Sequence, residues 1–122
     1  MPRILIVDDE LTQLTLIRET LSTETDLTFL EAHDGRQALE RARKEHPDLV
    51  LLDIMMPEMD GYQVCRILKA DPDLKHIPVI LISALGHIED RTVARDLGAY
   101  SFINKPFEET DLQEQVRSAL AS

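Results

Sequence analysis

Four short apolar runs in this chain each end on residues that can do chemistry. Ile4 to Val7 leads into Asp8-Asp9-Glu10, and Leu49 to Leu52 leads into Asp53. Pro78 to Ile82 leads into Ser83, and Tyr100 to Asn104 leads into Lys105-Pro106. Carboxylates brought to one place repel one another, so either a proton or a cation must join them. No Cys or His stands at these run ends. The ligands are then all oxygen, which favours Mg²⁺ or Mn²⁺ over zinc or copper. Lys105 can pair with one carboxylate at rest, and Ser83 can donate a hydrogen bond. A cation, an ammonium and a hydroxyl around one carboxylate suit the equatorial oxygens of a phosphoryl group. The carboxylate itself can be the nucleophile, giving an acyl phosphate. Singly, each residue has a plainer reading: Asp8-Asp9 as helix caps, Asp53 as a turn residue, Ser83 as a capping hydroxyl, Lys105 as an exposed strand end. Their joint placement outweighs those readings.

The elements that must position them alternate. Ile4–Val7 reads as a strand, followed by a helix with Leu11, Leu14, Ile17 and Leu21 on one face. Leu27 to Leu30 is a weaker strand. Asp34-Gly35 opens a helix carrying Ala38, Leu39 and Ala42, which stops at His46-Pro47. After the Asp53 strand comes a loop, Pro57 to Gly61, then a helix with Val64, Ile67 and Leu68. After the Ser83 strand comes a helix carrying Val93, Ala94 and Leu97, capped by Gly98. The last helix follows Lys105-Pro106 and carries Leu112, Val116 and Leu120. Continuous apolar strands between amphipathic helices predict an α/β fold, a parallel sheet covered on both faces with right-handed crossovers. In such sheets ligands sit outside the carboxyl ends of the strands.

Composition narrows the function. The 122 residues suit one domain, and 43% apolar residues can build one core. The net charge of −10 speaks against a general electrostatic grip on nucleic acid or anionic lipid. With 4% aromatics and no Trp, base-stacking platforms are improbable as well. Cys65 is the single cysteine, which excludes an internal disulfide and a cysteine zinc site. The apolar start is too short for a signal peptide or a membrane helix. A natural start at Met1-Pro2 and a cytoplasmic location are the expectation.

With these pieces in place, the chain resembles the receiver domain of two-component response regulators. The matching segments are Ile4 to Glu10, Asp53-Ile54-Met55-Met56-Pro57-Glu58-Met59-Asp60-Gly61, Ile80 to Ala84, and Gly98-Ala99 through Lys105-Pro106-Phe107. The resemblance covers residues 1–122 as one receiver domain, similar to the single-domain chemotaxis regulators. It implies the flavodoxin-like, doubly wound (βα)5 three-layer sandwich, with a five-stranded parallel sheet in the order 2-1-3-4-5. It also implies that Asp53 accepts a phosphoryl group from a phosphohistidine on a sensor histidine kinase or a histidine phosphotransfer protein. Asp9 directly, Asp8 through water, Asp53 and the backbone carbonyl of Met55 would hold Mg²⁺ or Mn²⁺. Ser83 would move to hydrogen-bond the phosphoryl group, Lys105 would pair with it, and Phe102 would be the switch aromatic that turns inward. The bond before Pro106 would be cis. Such a domain is a signalling module that assists its own phosphotransfer and dephosphorylation, not an ordinary enzyme. It would control a downstream effector or output domain, as a monomer or a phosphorylation-dependent dimer. The alternative context is a receiver excised from a larger regulator or hybrid histidine kinase.

Some positions depart from the family's commoner residues: Ser83 for Thr, Phe102 for Tyr, and Tyr100-Ser101 where the winged-helix subfamily carries two acids. The last difference argues against that subfamily's dimer. An Asp-nucleophile phosphatase would need a second Asp where Met55 stands. A flavin module would need a phosphate loop where Asp8-Asp9-Glu10 stands. Met55 and Leu85 beside the site are expected to shield an Asp53 phosphate from water, with Met56 and Met59 as packing residues. Cys65 is expected to be partly buried and inert. His33, His46, His76 and His87 have no ligand spacing, and Glu108, Glu109 and Asp111 suit the last helix's dipole.

Overall fold

The fold follows from where each apolar run meets its neighbour. The computed structural model describes residues 2–23, 26–84 and 88–121. Its elements are β1 (Arg3–Val7), α1 (Leu11–Leu21), β2 (Thr28–Ala32), α2 (Gly35–Glu45), β3 (Leu49–Asp53), α3 (Gly61–Ala70), β4 (Val79–Ser83), α4 (Ile88–Asp96), β5 (Ser101–Asn104) and α5 (Glu109–Ala121). All four strand pairings are parallel, in the order β2-β1-β3-β4-β5.

Alternation along the strands divides the core in two. Leu5, Val7, Val50, Leu52, Val79 and Leu81 face α2, α3 and α4. Ile4, Ile6, Leu49, Leu51, Ile80 and Ile82 face α1 and α5. The result is the three-layer sandwich expected of uninterrupted apolar strands. Cys65 is fully buried in the first of these clusters, more deeply than the sequence suggested.

Three local expectations need correction. The second strand is Thr28–Ala32, not Leu27 to Leu30, because pairing with β1 runs on to Val7 opposite Ala32. Leu11 is 68% exposed: as the first residue of α1 it stands before the turn that reaches the sheet. Val93 is also exposed, and its neighbour Ala94 supplies the buried contact of α4. Leu85 and His87 lie outside the described residues.

The Gly98 cap expected from the sequence is present, and a second helix end carries a cap that the sequence reading did not name. Gly98 adopts φ +86 just past α4, where the Gly98 and Ala99 N–H groups bond back to the Arg95 and Ala94 carbonyls. α3 opens with a reciprocal cap. The Asp60 carboxylate accepts from the Gln63 N–H at 3.0 Å, and the Gln63 side chain accepts from the Asp60 N–H at 3.2 Å. Asp60→Ala is expected to lower stability by about 1 kcal/mol, read by urea unfolding. An unchanged midpoint would mean that packing alone holds this helix start.

Candidate functional site

β1 and β3 are neighbours, with Val7 opposite Leu52. The next residues, Asp8 and Asp53, therefore emerge side by side at the carboxyl edge of the sheet. Asp8 is held twice: its N–H donates to the Ala32 carbonyl at 3.2 Å, and its carboxylate accepts from the Glu10 N–H at 3.0 Å. Lys105 arrives from the far side of the sheet. Its N–H donates to the Ser83 carbonyl at 2.7 Å, and the peptide bond to Pro106 is cis. Its ammonium then donates to Asp8 at 3.1 Å and to Asp53 at 3.3 Å. The sequence led us to expect one carboxylate partner for Lys105; the register of β1 and β3 supplies two.

These groups are buried. Asp8 is 1% exposed and Asp53 is 5% exposed. Burial pushes the Asp53 carboxyl up to about 6, and the neighbouring Asp8 charge adds to the rise. Against this act the Lys105 charge, the hydrogen bond from its ammonium, and one from the Met55 backbone N–H. Burial pulls the Lys105 ammonium down, but Asp53 and Asp8 outweigh it and leave the lysine above its ordinary value.

Asp9 completes the cluster from the exposed side. One oxygen from each of Asp8, Asp9 and Asp53 can lie within 4.8 Å of the others. Three carboxylates against one ammonium leave uncompensated negative charge in a mostly buried site. That donor set is all oxygen and fits a hard divalent cation.

The other expected site residues lie around this centre. Ser83 is buried at the end of β4, next to β3, with Ile82 opposite Asp53. Met55 is 56% exposed beside Asp53, while Met56 is buried. Phe102 is not among the carboxylates; it is half-buried against the α2–α4 core. Two close contacts beside this centre could not be read from the sequence. Gly61 begins α3 so close to β3 that a Cβ there would lie 2.4 Å from the Asp53 carbonyl oxygen. The sequence marks Gly61 as the end of the Pro57–Gly61 loop and of the Asp53–Gly61 segment, but not as the point of this close approach. Arg91 of α4 places its guanidinium 5.3 Å from the centroid of the Phe102 ring. That contact joins the consecutive elements α4 and β5 and depends on how the helix lies against the strand, which residue spacing alone does not show.

Residues 4–117 match the family described as response regulator receiver domain. This chain belongs to that family. The receiver domain is 42% identical over 121 residues to the probable transcriptional regulator ycf27 of Cyanophora paradoxa, a match covering 97% of this chain and 48% of that protein. It thus spans about half the length of the ycf27 regulators it matches. Among solved structures it resembles the receiver domain of NtrX from Brucella abortus, with a TM-score of 0.89, 35% identity and 98% of each chain covered. It also resembles the Mn²⁺-bound form of the response regulator Rcp1, with a TM-score of 0.82, 29% identity, and 97% of this chain and 91% of that one covered. Receiver domains are signalling modules of two-component systems, and this one has their flavodoxin-like fold. Among the described residues, no helix is long and apolar enough to cross a membrane.

Proposed function

We propose that residues 1–122 act as one receiver unit in which Asp53 accepts a phosphoryl group from a phosphohistidine of a sensor histidine kinase or histidine phosphotransfer protein. The observation that carries this reading is a buried Asp53, held by Lys105, with Asp8 and Asp9 within ligand reach of it. An Asp53 carboxylate oxygen forms the bond to phosphorus. The phosphorus–nitrogen bond breaks, and the histidine nitrogen keeps that electron pair. Lys105 already sits on Asp53 and is placed to pair with a phosphoryl oxygen, while Ser83 brings a hydroxyl from the adjacent strand. Asp8, Asp9, Asp53 and the backbone carbonyl of Met55 are the groups that would hold Mg²⁺ or Mn²⁺. When bound, such an ion neutralises developing charge on the phosphoryl oxygens. The relative Rcp1 has been solved with Mn²⁺.

The domain supplies nucleophile, cation ligands and lysine, and in that sense assists its own phosphorylation and dephosphorylation. The phosphoryl group favours one of two conformations, in which Ser83 moves towards it and Phe102 turns inward. A downstream effector or output domain in the cytoplasm reads that change, and the domain itself is a monomer or dimerises on phosphorylation. The acidic surface, net charge −10, makes direct nucleic-acid binding by this domain unfavourable.

Intact-mass spectrometry after incubation with a small-molecule acyl phosphate tests the reading. The wild type is expected to gain one phosphoryl group when Mg²⁺ is present and none when it is chelated. Asp53→Asn is expected to gain none under either condition. Addition that survives in Asp53→Asn would place the acceptor elsewhere.

A further inference from the structure

Arg91 and Phe102 make a contact that the phosphoryl chemistry itself does not use. Phe102 lies opposite Leu81, and Asn104 lies opposite Ser83, on the neighbouring strands β5 and β4. Side chains alternate along a strand. Phe102 and Ser83 therefore stand on the same face of the sheet, diagonal to each other. The Phe102 ring has a core contact on one side and open space beside it. Grooves of about 590 Å³ and about 300 Å³ flank it, and both are lined by Arg91 and Phe102.

Another arginine–aromatic pair among the described residues gives a contrast. Arg18 lies 5.9 Å from the Phe29 centroid, but Glu31 also holds its guanidinium at 2.7 Å. Arg91 makes no ion pair with any described carboxylate. Its guanidinium lies 5.3 Å from the centroid of the Phe102 ring.

We infer that Arg91 is a positioning residue for the phosphoryl switch: its guanidinium holds the Phe102 ring at α4 in the resting state. A ring that turns inward to follow Ser83 must give this contact up. The inference rests on the reading of Asp53 as phosphoryl acceptor. A cation over an aromatic face at an exposed site weights the resting placement about two- to fivefold.

The test is the rate of phosphoryl uptake from a small-molecule acyl phosphate at saturating Mg²⁺, with Mg²⁺ affinity measured alongside. Four proteins form the core cycle: wild type, Arg91→Gln, Phe102→Leu and the double variant. Arg91→Lys is the conservative control. Arg91→Gln is expected to speed uptake about two- to fivefold with Mg²⁺ affinity unchanged. Arg91→Lys is expected to restore most of the wild-type rate, and Arg91→Gln is expected to change nothing when Phe102 is already Leu. Uptake by the wild type that Arg91→Gln leaves unchanged or slows overturns the inference. So does equal acceleration in the Phe102→Leu background, since the effect would not pass through the ring. A wild type that takes up no phosphoryl group overturns the reading of Asp53, a different and recognisable result.

Discussion

Gly61→Ala is expected to lower the unfolding free energy by about 3 kcal/mol and to slow phosphoryl uptake on Asp53 at least about tenfold. The added Cβ would sit 2.4 Å from the Asp53 carbonyl oxygen and 2.8 Å from the Ile54 Cα. Both are backbone atoms of the chain leaving β3, so no side-chain rotation relieves the clash. The Gly61 N–H also donates to the Ile54 carbonyl at 3.0 Å, tying the start of α3 to the same segment. Either α3 moves outward or the end of β3 shifts, and the second course carries Asp53 with it. Urea unfolding reads the first effect and acyl-phosphate uptake the second. Wild-type values for both would show that the loop absorbs a methyl group without moving β3.

Asp53→Asn is expected to stabilise the metal-free protein by up to about 3 kcal/mol at pH values well above 6, and hardly at all near pH 3. The Asp53 carboxyl rises from 3.8 to about 6 on folding, chiefly through burial and then through the Asp8 charge. A rise of that size corresponds to about 3 kcal/mol. The folded state holds the proton more tightly than the unfolded state. Wild-type stability contributed by this group is therefore intact below about 3.8 and falls as the pH climbs through about 6. Asn carries no charge and removes that fall. Paired urea titrations across this window, with chelator present, should converge at low pH and diverge at high pH. Parallel curves would assign the pH dependence to other groups. Adding Mg²⁺ should narrow the gap by stabilising the wild type, because an ion bound to the folded state offsets the buried charge.

Much of this was legible in the sequence, for reasons that show where legibility stops. The three central strands could be read because each is built on a continuous apolar run, which a sheet covered on both faces demands. The edge strand β2 was the least well placed because one side of it needs no burial. Glu31 is tolerated there and pairs with Arg18, so the apolar run ends before the strand does. Asp8, Asp53 and Lys105 could be read as one site because all follow strands with a common direction. The sharing of Lys105 between two carboxylates could not, since it depends on Val7 standing opposite Leu52. Gly61 and Arg91 act through close approaches between consecutive elements folded back on one another. Local spacing carries no trace of such distances.

The ammonium of Lys105 reaches Asp8 across 97 positions of sequence. The carboxylates stand at the ends of β1 and β3, and their counter-ion follows β5. During synthesis β1 and β3 leave the ribosome long before Lys105 does. A growing chain that stops short of β5 carries the acids without the lysine that steadies them. Assembly of the site is thus tied to synthesis of β5 and the residue after it: a fragment ending before residue 105 has the carboxylates but not the lysine that joins them.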